Sequence, residues 1–204
     1  MKPAADRPNP ARMNFVAALR VLERLREDRI VVTTMGAARE WPKLSTHPLD
    51  FHYVPSAMGE APALGLGVAL AHPQREVVVL NGDGGMLMNL GSLVTIIASG
   101  ARNLTLVILD NGIYEVTGGQ QTAAACVPRG QVDFAAMARA AGFESVTSCD
   151  HLATWERSAA VVLNQGGPRV IVLAVEPVGA AYHLEPPGPI AERVARFRAA
   201  LAGN

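Results

Sequence analysis

The sequence lacks the marks of an exported, disulfide-built or polyanion-binding protein. It holds two cysteines in 204 residues, Cys126 and Cys149, with no C-x-x-C pair and no metal-ligand spacing. That excludes a disulfide framework and an iron–sulfur cluster ligated by this chain alone, and it fits a reducing compartment. Basic and acidic side chains balance at 18 each, so no net charge draws the chain to nucleic acid or an anionic membrane. No apolar run reaches membrane-spanning length, and the first ten residues carry charges and prolines where a signal peptide carries an apolar core. The expectation is a soluble, cytoplasmic protein. No internal repeat is visible. Two nucleotide fingerprints are also missing. A Walker A loop needs a lysine after its glycines, and none follows Gly84-Gly85. A dinucleotide loop starting at Gly82 needs glycine at 87, where Leu87 stands, and Gly65-Leu66-Gly67 fails likewise at Leu70.

What the chain has is half its residues apolar, enough for one compact domain with a substantial core. Residues 77–114 read VVVLNGDGGMLMNLGSLVTIIASGARNLTLVILDNGIY. Two apolar, β-branched runs, 77–80 and 104–109, flank a stretch with helical spacing at Met86, Leu90, Leu93, Val94 and Ile97. The runs are continuous and do not alternate, as expected of parallel strands covered on both faces. Around this βαβ unit the pattern predicts an amphipathic helix at 11–26, a strand at 30–34, a loop over the sheet edge at 41–53, and a helix containing Gly65 and Gly67. Glycines inside a helix cost stability, so close packing is the expected reason for them. Further on come a long loop at 121–131, a helix at 134–141, a strand at 145–148, a helix at 151–164 and a strand at 170–175. A charged, amphipathic helix at 190–201 follows a Pro-rich stretch and is read as a surface for a partner. The βα alternation gives an α/β fold with a doubly wound, mainly parallel sheet and helices on both faces. The domain reading is a disordered segment 1–10, a binding domain 11–180 and an extension 181–204.

The chemistry is expected at the carboxyl ends of the two central strands, in Asn81-Gly82-Asp83-Gly84-Gly85 and Asp110-Asn111-Gly112. Glycines there allow close approach of a phosphate to the backbone. A diphosphate so held needs a hard cation with oxygen ligands. Asp83 and Asn111 offer an anionic and a neutral oxygen from strands about 4.8 Å apart.

This G-D-G, helix, strand, Asn-turn order resembles the cofactor motif of thiamine diphosphate enzymes, over roughly residues 30–175. The resemblance implies that thiamine diphosphate and Mg²⁺ bind here, with the metal held by Asp83, Asn111 and the carbonyl of Ile113. It implies diphosphate contacts from Gly82, Gly84 and Gly85 and, at the first strand end, from Thr34 and Gly36. Thr34 also reads simply as a helix N-cap. The segment Val54-Pro55-Ser56-Ala57-Met58-Gly59-Glu60-Ala61 is similar to the G-S-M-G-x-A segment of phosphonopyruvate and sulfopyruvate decarboxylases. It would place Met58 under the cofactor as a wedge, with the Ser56 carbonyl and the Met58 N–H on the aminopyrimidine; alternatively Met58 fills core space. The turn from Tyr114 through Thr117-Gly118-Gly119-Gln120 continues the likeness and adds Tyr114 to the cofactor contacts. Gly85 stands where serine is common. Glu60 stands where related sequences carry His or an apolar residue, and is a candidate catalytic or substrate-facing group.

In that family a glutamate from a separate pyrimidine-binding domain activates the cofactor. Here only a helix, a strand and a loop precede the wedge segment, whereas a further domain takes about 100 residues. The resemblance therefore implies a β-type, diphosphate-binding subunit of a two-subunit 2-oxo acid decarboxylase of the sulfopyruvate decarboxylase kind. Its pyrimidine-binding, α-type partner would complete a hetero-oligomer such as α2β2. The alternatives are a phosphonopyruvate or other 2-oxo acid decarboxylase, a carboligase or oxidase subunit, and a non-catalytic cofactor-binding partner.

Overall fold

Alternation along each strand sorts side chains onto two helical layers. The structure, a computed structural model, describes residues 12–125, 132–179 and 188–203. Segment 1–10, residues 126–131 of the long loop and residues 181–187 of the extension lie outside the described residues.

Helix α1 (Phe15–Arg24) begins where the Asn14 side chain accepts the Ala17 N–H at 3.0 Å, an N-cap. It buries Phe15, Ala18, Leu19, Val21 and Leu22. Strand β1 (Ile30–Thr33) is fully buried and leads into α2 (Met35–Glu40) and a 3-10 turn at Trp41–Lys43. Segment 41–53 departs from the expected loop, because it contains β2 (Asp50–His52), a short edge strand parallel to β1. Next come α3 (Ala61–Ala71) and β3 (Val77–Gly82).

The helix expected across 86–97 is two helices, α4 (Asp83–Met88) and α5 (Gly91–Ser99). They are broken at Asn89, whose φ of −145° and ψ of 60° are not helical. Strand β4 (Leu104–Asp110) is followed by an unforeseen hairpin of β5 (Ile113–Tyr114) and β6 (Gln120–Gln121). The remaining elements are α6 (Phe134–Ala141), β7 (Ser145–Cys149), α7 (Leu152–Leu163), β8 (Arg169–Ala174) and α8 (Ile190–Ala202).

Six strands form one parallel sheet in the order β2-β1-β3-β4-β8-β7. Val77 and Val79 face a core shared with α3, α5 and α6, while Val78 and Leu80 face one shared with α1 and α7. This is the doubly wound arrangement expected from the continuous apolar runs. Of the two helical glycines, Gly65 meets the packing expectation, since a Cβ there would run into the Val79 side chain. Gly67 does not, because a Cβ there meets nothing within 4 Å. No described helix is long and apolar enough to cross a membrane.

Helix α8 packs within the chain against β2, with Phe197 stacked on Phe51 at a centroid distance of 5.0 Å. The sequence reading assigned this face to a partner.

Candidate cofactor site

The order of strands reverses between β1 and β3: from β1 the chain moves out to β2, and from β3 it moves the other way to β4. In open α/β sheets such a reversal leaves a crevice at the carboxyl ends of the strands. Here it holds an open cleft. Four segments supply most of its lining: 34–37 after β1, 56–59 after β2, 81–85 at the end of β3 and the start of α4, and 111 with 113–117 after β4. Every cofactor and metal residue expected from the sequence is among them: Thr34, Gly36, Ser56, Met58, Gly82, Asp83, Gly84, Gly85, Asn111, Ile113 and Tyr114. Glu60 is not. It is exposed, and its carboxylate accepts a hydrogen bond from Asn89 Nδ2 at 3.2 Å, so it ties the wedge segment to the break after α4.

Asp83 is 1% exposed and joins the two central loops. Its Oδ2 accepts the Gly112 N–H at 3.1 Å and the Thr122 hydroxyl at 3.2 Å. Burial raises its pKa to about 6, Asp110 beside it adds to the rise, and the N–H and hydroxyl donors oppose it. A buried carboxylate whose charged neighbour is another carboxylate favours a cation. Asn111 holds its Oδ1 3.0 Å from the Ile113 N–H, which fixes the amide at the rim. No group of three His, Cys, Asp or Glu residues that could hold a metal occurs among the described residues. One carboxylate, one amide and one carbonyl is the hard, oxygen-only donor set that Mg²⁺ accepts.

The glycines divide by what surrounds them. At Gly82 a Cβ meets no atom within 4 Å, so its side of the backbone is open cleft. At Gly84 a Cβ would lie 2.6 Å from the Tyr114 ring, and at Gly85 it would lie 2.8 Å from Asn81 Oδ1. The second contact accounts for the missing serine, because Asn81 fills the space that a serine side chain would need there. Gly85→Ser should therefore destabilise the fold by about 1–3 kcal/mol through overpacking. Asn81→Ala in the same chain should restore most of the loss, as measured by thermal or urea unfolding.

Thr34 is the N-cap residue of α2 by position, its carbonyl accepting the Ala38 N–H at 3.2 Å, but its side chain does not cap. Its hydroxyl donates to the Leu80 carbonyl at 3.3 Å and makes no capping bond to α2. Gly36 leaves room for neighbours, since a Cβ there would come within 3.1 Å of Glu115 Oε2. Met58 is 52% exposed at the cleft, which rules out the core-filling alternative. Gly59, at a φ of +86°, lets the segment close on α4; a Cβ there would touch Met88, Asn89 and the Gly85 carbonyl within 3.2 Å.

Sequence reasoning missed Met35, Asn81 and Glu115 in the lining, and Thr122 behind Asp83. Met35 has a φ of +47°, a strained state for a non-glycine residue of the kind found at functional sites. Asn81 directly precedes Gly82-Asp83-Gly84, and that position was the available signal. Glu115 accepts the Val178 N–H at 2.5 Å, and burial raises its pKa.

Residues 31–173 match the family described as thiamine pyrophosphate enzyme, C-terminal TPP binding domain. The chain is 41% identical over 191 residues to a phosphonopyruvate decarboxylase of Streptomyces viridochromogenes, a match spanning 93% of this chain and 46% of that protein. It is 31% identical to the sulfopyruvate decarboxylase subunit beta of Methanocaldococcus jannaschii, covering 82% of this chain and 85% of that one. In fold it is similar to 2-oxoglutarate:ferredoxin oxidoreductase from Magnetococcus marinus, with a TM-score of 0.61 at 16% identity over 98% of this chain and 78% of that one. The chain thus spans about half the length of the first of these relatives. With the cleft at the strand-order reversal and a family match over its whole central sheet, this chain belongs to the thiamine pyrophosphate enzymes, as a C-terminal TPP binding domain.

Proposed function

We propose that this chain is the diphosphate-binding, β-type subunit of a thiamine diphosphate-dependent 2-oxo acid decarboxylase, sulfopyruvate decarboxylase-like, that uses Mg²⁺ and works with a pyrimidine-binding partner chain. The observation that carries this reading is the cleft itself. Four segments separated in sequence converge there around a buried carboxylate, Asp83, whose charged neighbour is Asp110, and an open backbone at Gly82.

Asp83, Asn111 and the Ile113 carbonyl would hold Mg²⁺. The backbone at Gly82, Gly84 and Gly85, with Thr34 and Gly36 opposite, would hold the diphosphate. Met58 would support the rings, with the Ser56 carbonyl and Met58 N–H on the aminopyrimidine. Bound there, thiamine diphosphate supplies the electron sink for loss of carbon dioxide from a 2-oxo acid. The chain's own residues bind and orient: Asp83 would fix the metal loops through Gly112 and Thr122, and Met58, Met88 and Val116 would offer an exposed apolar rim to the rings.

A partner is supported by the relatives named subunit beta and by an exposed apolar surface. Helix α3 has no charged residue along Ala61–Ala71, and α5 has none along Gly91–Ser99. These adjacent helices leave Leu70 at 53% and Val94 at 60% exposure. Such patches mark contact surfaces.

Gly82→Leu tests the cofactor reading without touching the core, since the new side chain enters open cleft. Calorimetry should show the affinity for thiamine diphosphate with Mg²⁺ falling at least tenfold, about 1.4 kcal/mol, at unchanged melting temperature. Unchanged affinity would place the cofactor elsewhere. Glu60→Gln should leave substrate preference unaltered, because the amide oxygen still accepts from Asn89. A changed ratio of kcat/KM between sulfopyruvate and an uncharged-tail 2-oxo acid would return Glu60 to the substrate site.

A further inference from the structure

Helix α8 is exposed along most of its length and buries two residues one turn apart, Arg193 and Phe197. Phe197 stacking on Phe51 is ordinary docking. Arg193 is different, because burying a guanidinium is costly unless fixed acceptors compensate. Its acceptors are backbone carbonyls: Nε donates to Gly188 at 3.1 Å, Nη1 to His52 and Nη2 to Val54. His52 ends β2, the edge strand, and the Val54 N–H closes a tight turn onto the His52 carbonyl at 2.9 Å. The two terminal nitrogens of one planar fork therefore hold the turn from which residues 55–59 leave for the cleft.

The other end of that segment is also fixed. Gly59 packs on Met88, Asn89 and the Gly85 carbonyl, and Glu60 accepts from Asn89. Between the two anchors the Ala57 N–H donates to the Tyr53 hydroxyl at 3.2 Å, and Met58 stands half-exposed in the cleft. The aim of Met58 thus depends on how firmly its ends are held.

We infer that Arg193 is a positioning residue of the cofactor site: it fixes the turn at His52–Val54 and so presents Ser56 and Met58 to the ring portion of the bound cofactor. The inference rests on the thiamine diphosphate reading above. It makes α8 part of the site, acting through the backbone from outside the cleft. It also separates two halves of cofactor binding. On that reading the diphosphate would lie on loops after β1, β3 and β4, to which Arg193 makes no hydrogen bond, whereas the rings would lie on the segment it holds.

The test compares two probes on the full chain in saturating Mg²⁺, thiamine diphosphate and inorganic diphosphate, each titrated by calorimetry. Arg193→Met keeps the stem volume and leaves Phe197 docked. It should weaken thiamine diphosphate by about tenfold, the scale of leaving a few groups to be ordered on binding, and leave inorganic diphosphate unchanged. Arg193→Lys folds more readily but cannot span two carbonyls with one ammonium, and should show the same split. Phe197→Leu should lower the melting temperature without the split. Equal loss for both probes, or no loss for either, in the two Arg193 variants overturns the inference while wild-type binding upholds the cofactor reading. Wild-type protein that binds neither probe overturns both.

Discussion

Asp83→Asn is expected to raise the Kd for thiamine diphosphate in saturating Mg²⁺ by about 100-fold, roughly 2.8 kcal/mol, and to remove most of the dependence of binding on Mg²⁺. Two effects of the carboxylate must be separated. As an acceptor it joins the loops after β3 and β4 through Gly112 and Thr122. As a charge it is poorly placed in the free chain, since burial and Asp110 push its pKa up to about 6. Asparagine keeps an oxygen for the two donors and deletes the charge. The folded chain should therefore melt at the same temperature as wild type or higher, while a metal held as proposed would lose its one anionic protein ligand. Asp83→Ala should bind as poorly and also unfold more easily, because two buried donors lose their acceptor at about 1–3 kcal/mol. Titration with and without Mg²⁺ checks the first expectation, and thermal unfolding checks the second. Wild-type affinity in Asp83→Asn would remove the metal from this loop.

The loops that line the cleft were legible because their constraints are local. Gly82, Gly84 and Gly85 flank the aspartate, and the apolar runs of β3 and β4 announce strands buried on both faces. What hid from the sequence depends on distant neighbours. Strand β2 is three residues, Asp50–His52, at a sheet edge, too short and too polar to give an apolar run. The break at Asn89 disappears under the apolar spacing of Met86, Leu90, Leu93 and Ile97, which stays helical in period while the backbone leaves the helix. Gly85 looked like a lost contact until the structure put Asn81 in the serine's space. Glu60 looked like a substrate group because it neighbours Met58 in sequence, yet α3 starts there and the side chain reaches Asn89 on the outside of the cleft. Arg193 lay in a charged helix and read as surface, because nothing local shows that its acceptors are 139 and 141 residues away.

Turnover is expected only when this chain is joined by a pyrimidine-binding chain. Two carboxylates occur among the described residues of the cleft, and both are engaged: Asp83 with Gly112 and Thr122, Glu115 with the Val178 N–H. A positioned acid–base group contributes roughly 10²–10⁴-fold to rate, so the chain alone should convert a 2-oxo acid at least 100-fold more slowly than the assembled pair. The uncovered apolar surface of α3 and α5 is where the partner should seat. Leu70→Lys together with Val94→Lys places two charges on exposed positions and should leave folding and Mg²⁺-dependent diphosphate binding intact while abolishing association. Sedimentation of the mixed chains, with carbon dioxide release from sulfopyruvate or phosphonopyruvate measured in the same samples, reads both outcomes. Full turnover by the isolated chain would show that its activating group is its own, and full turnover by the Leu70→Lys, Val94→Lys pair would move the contact to another face.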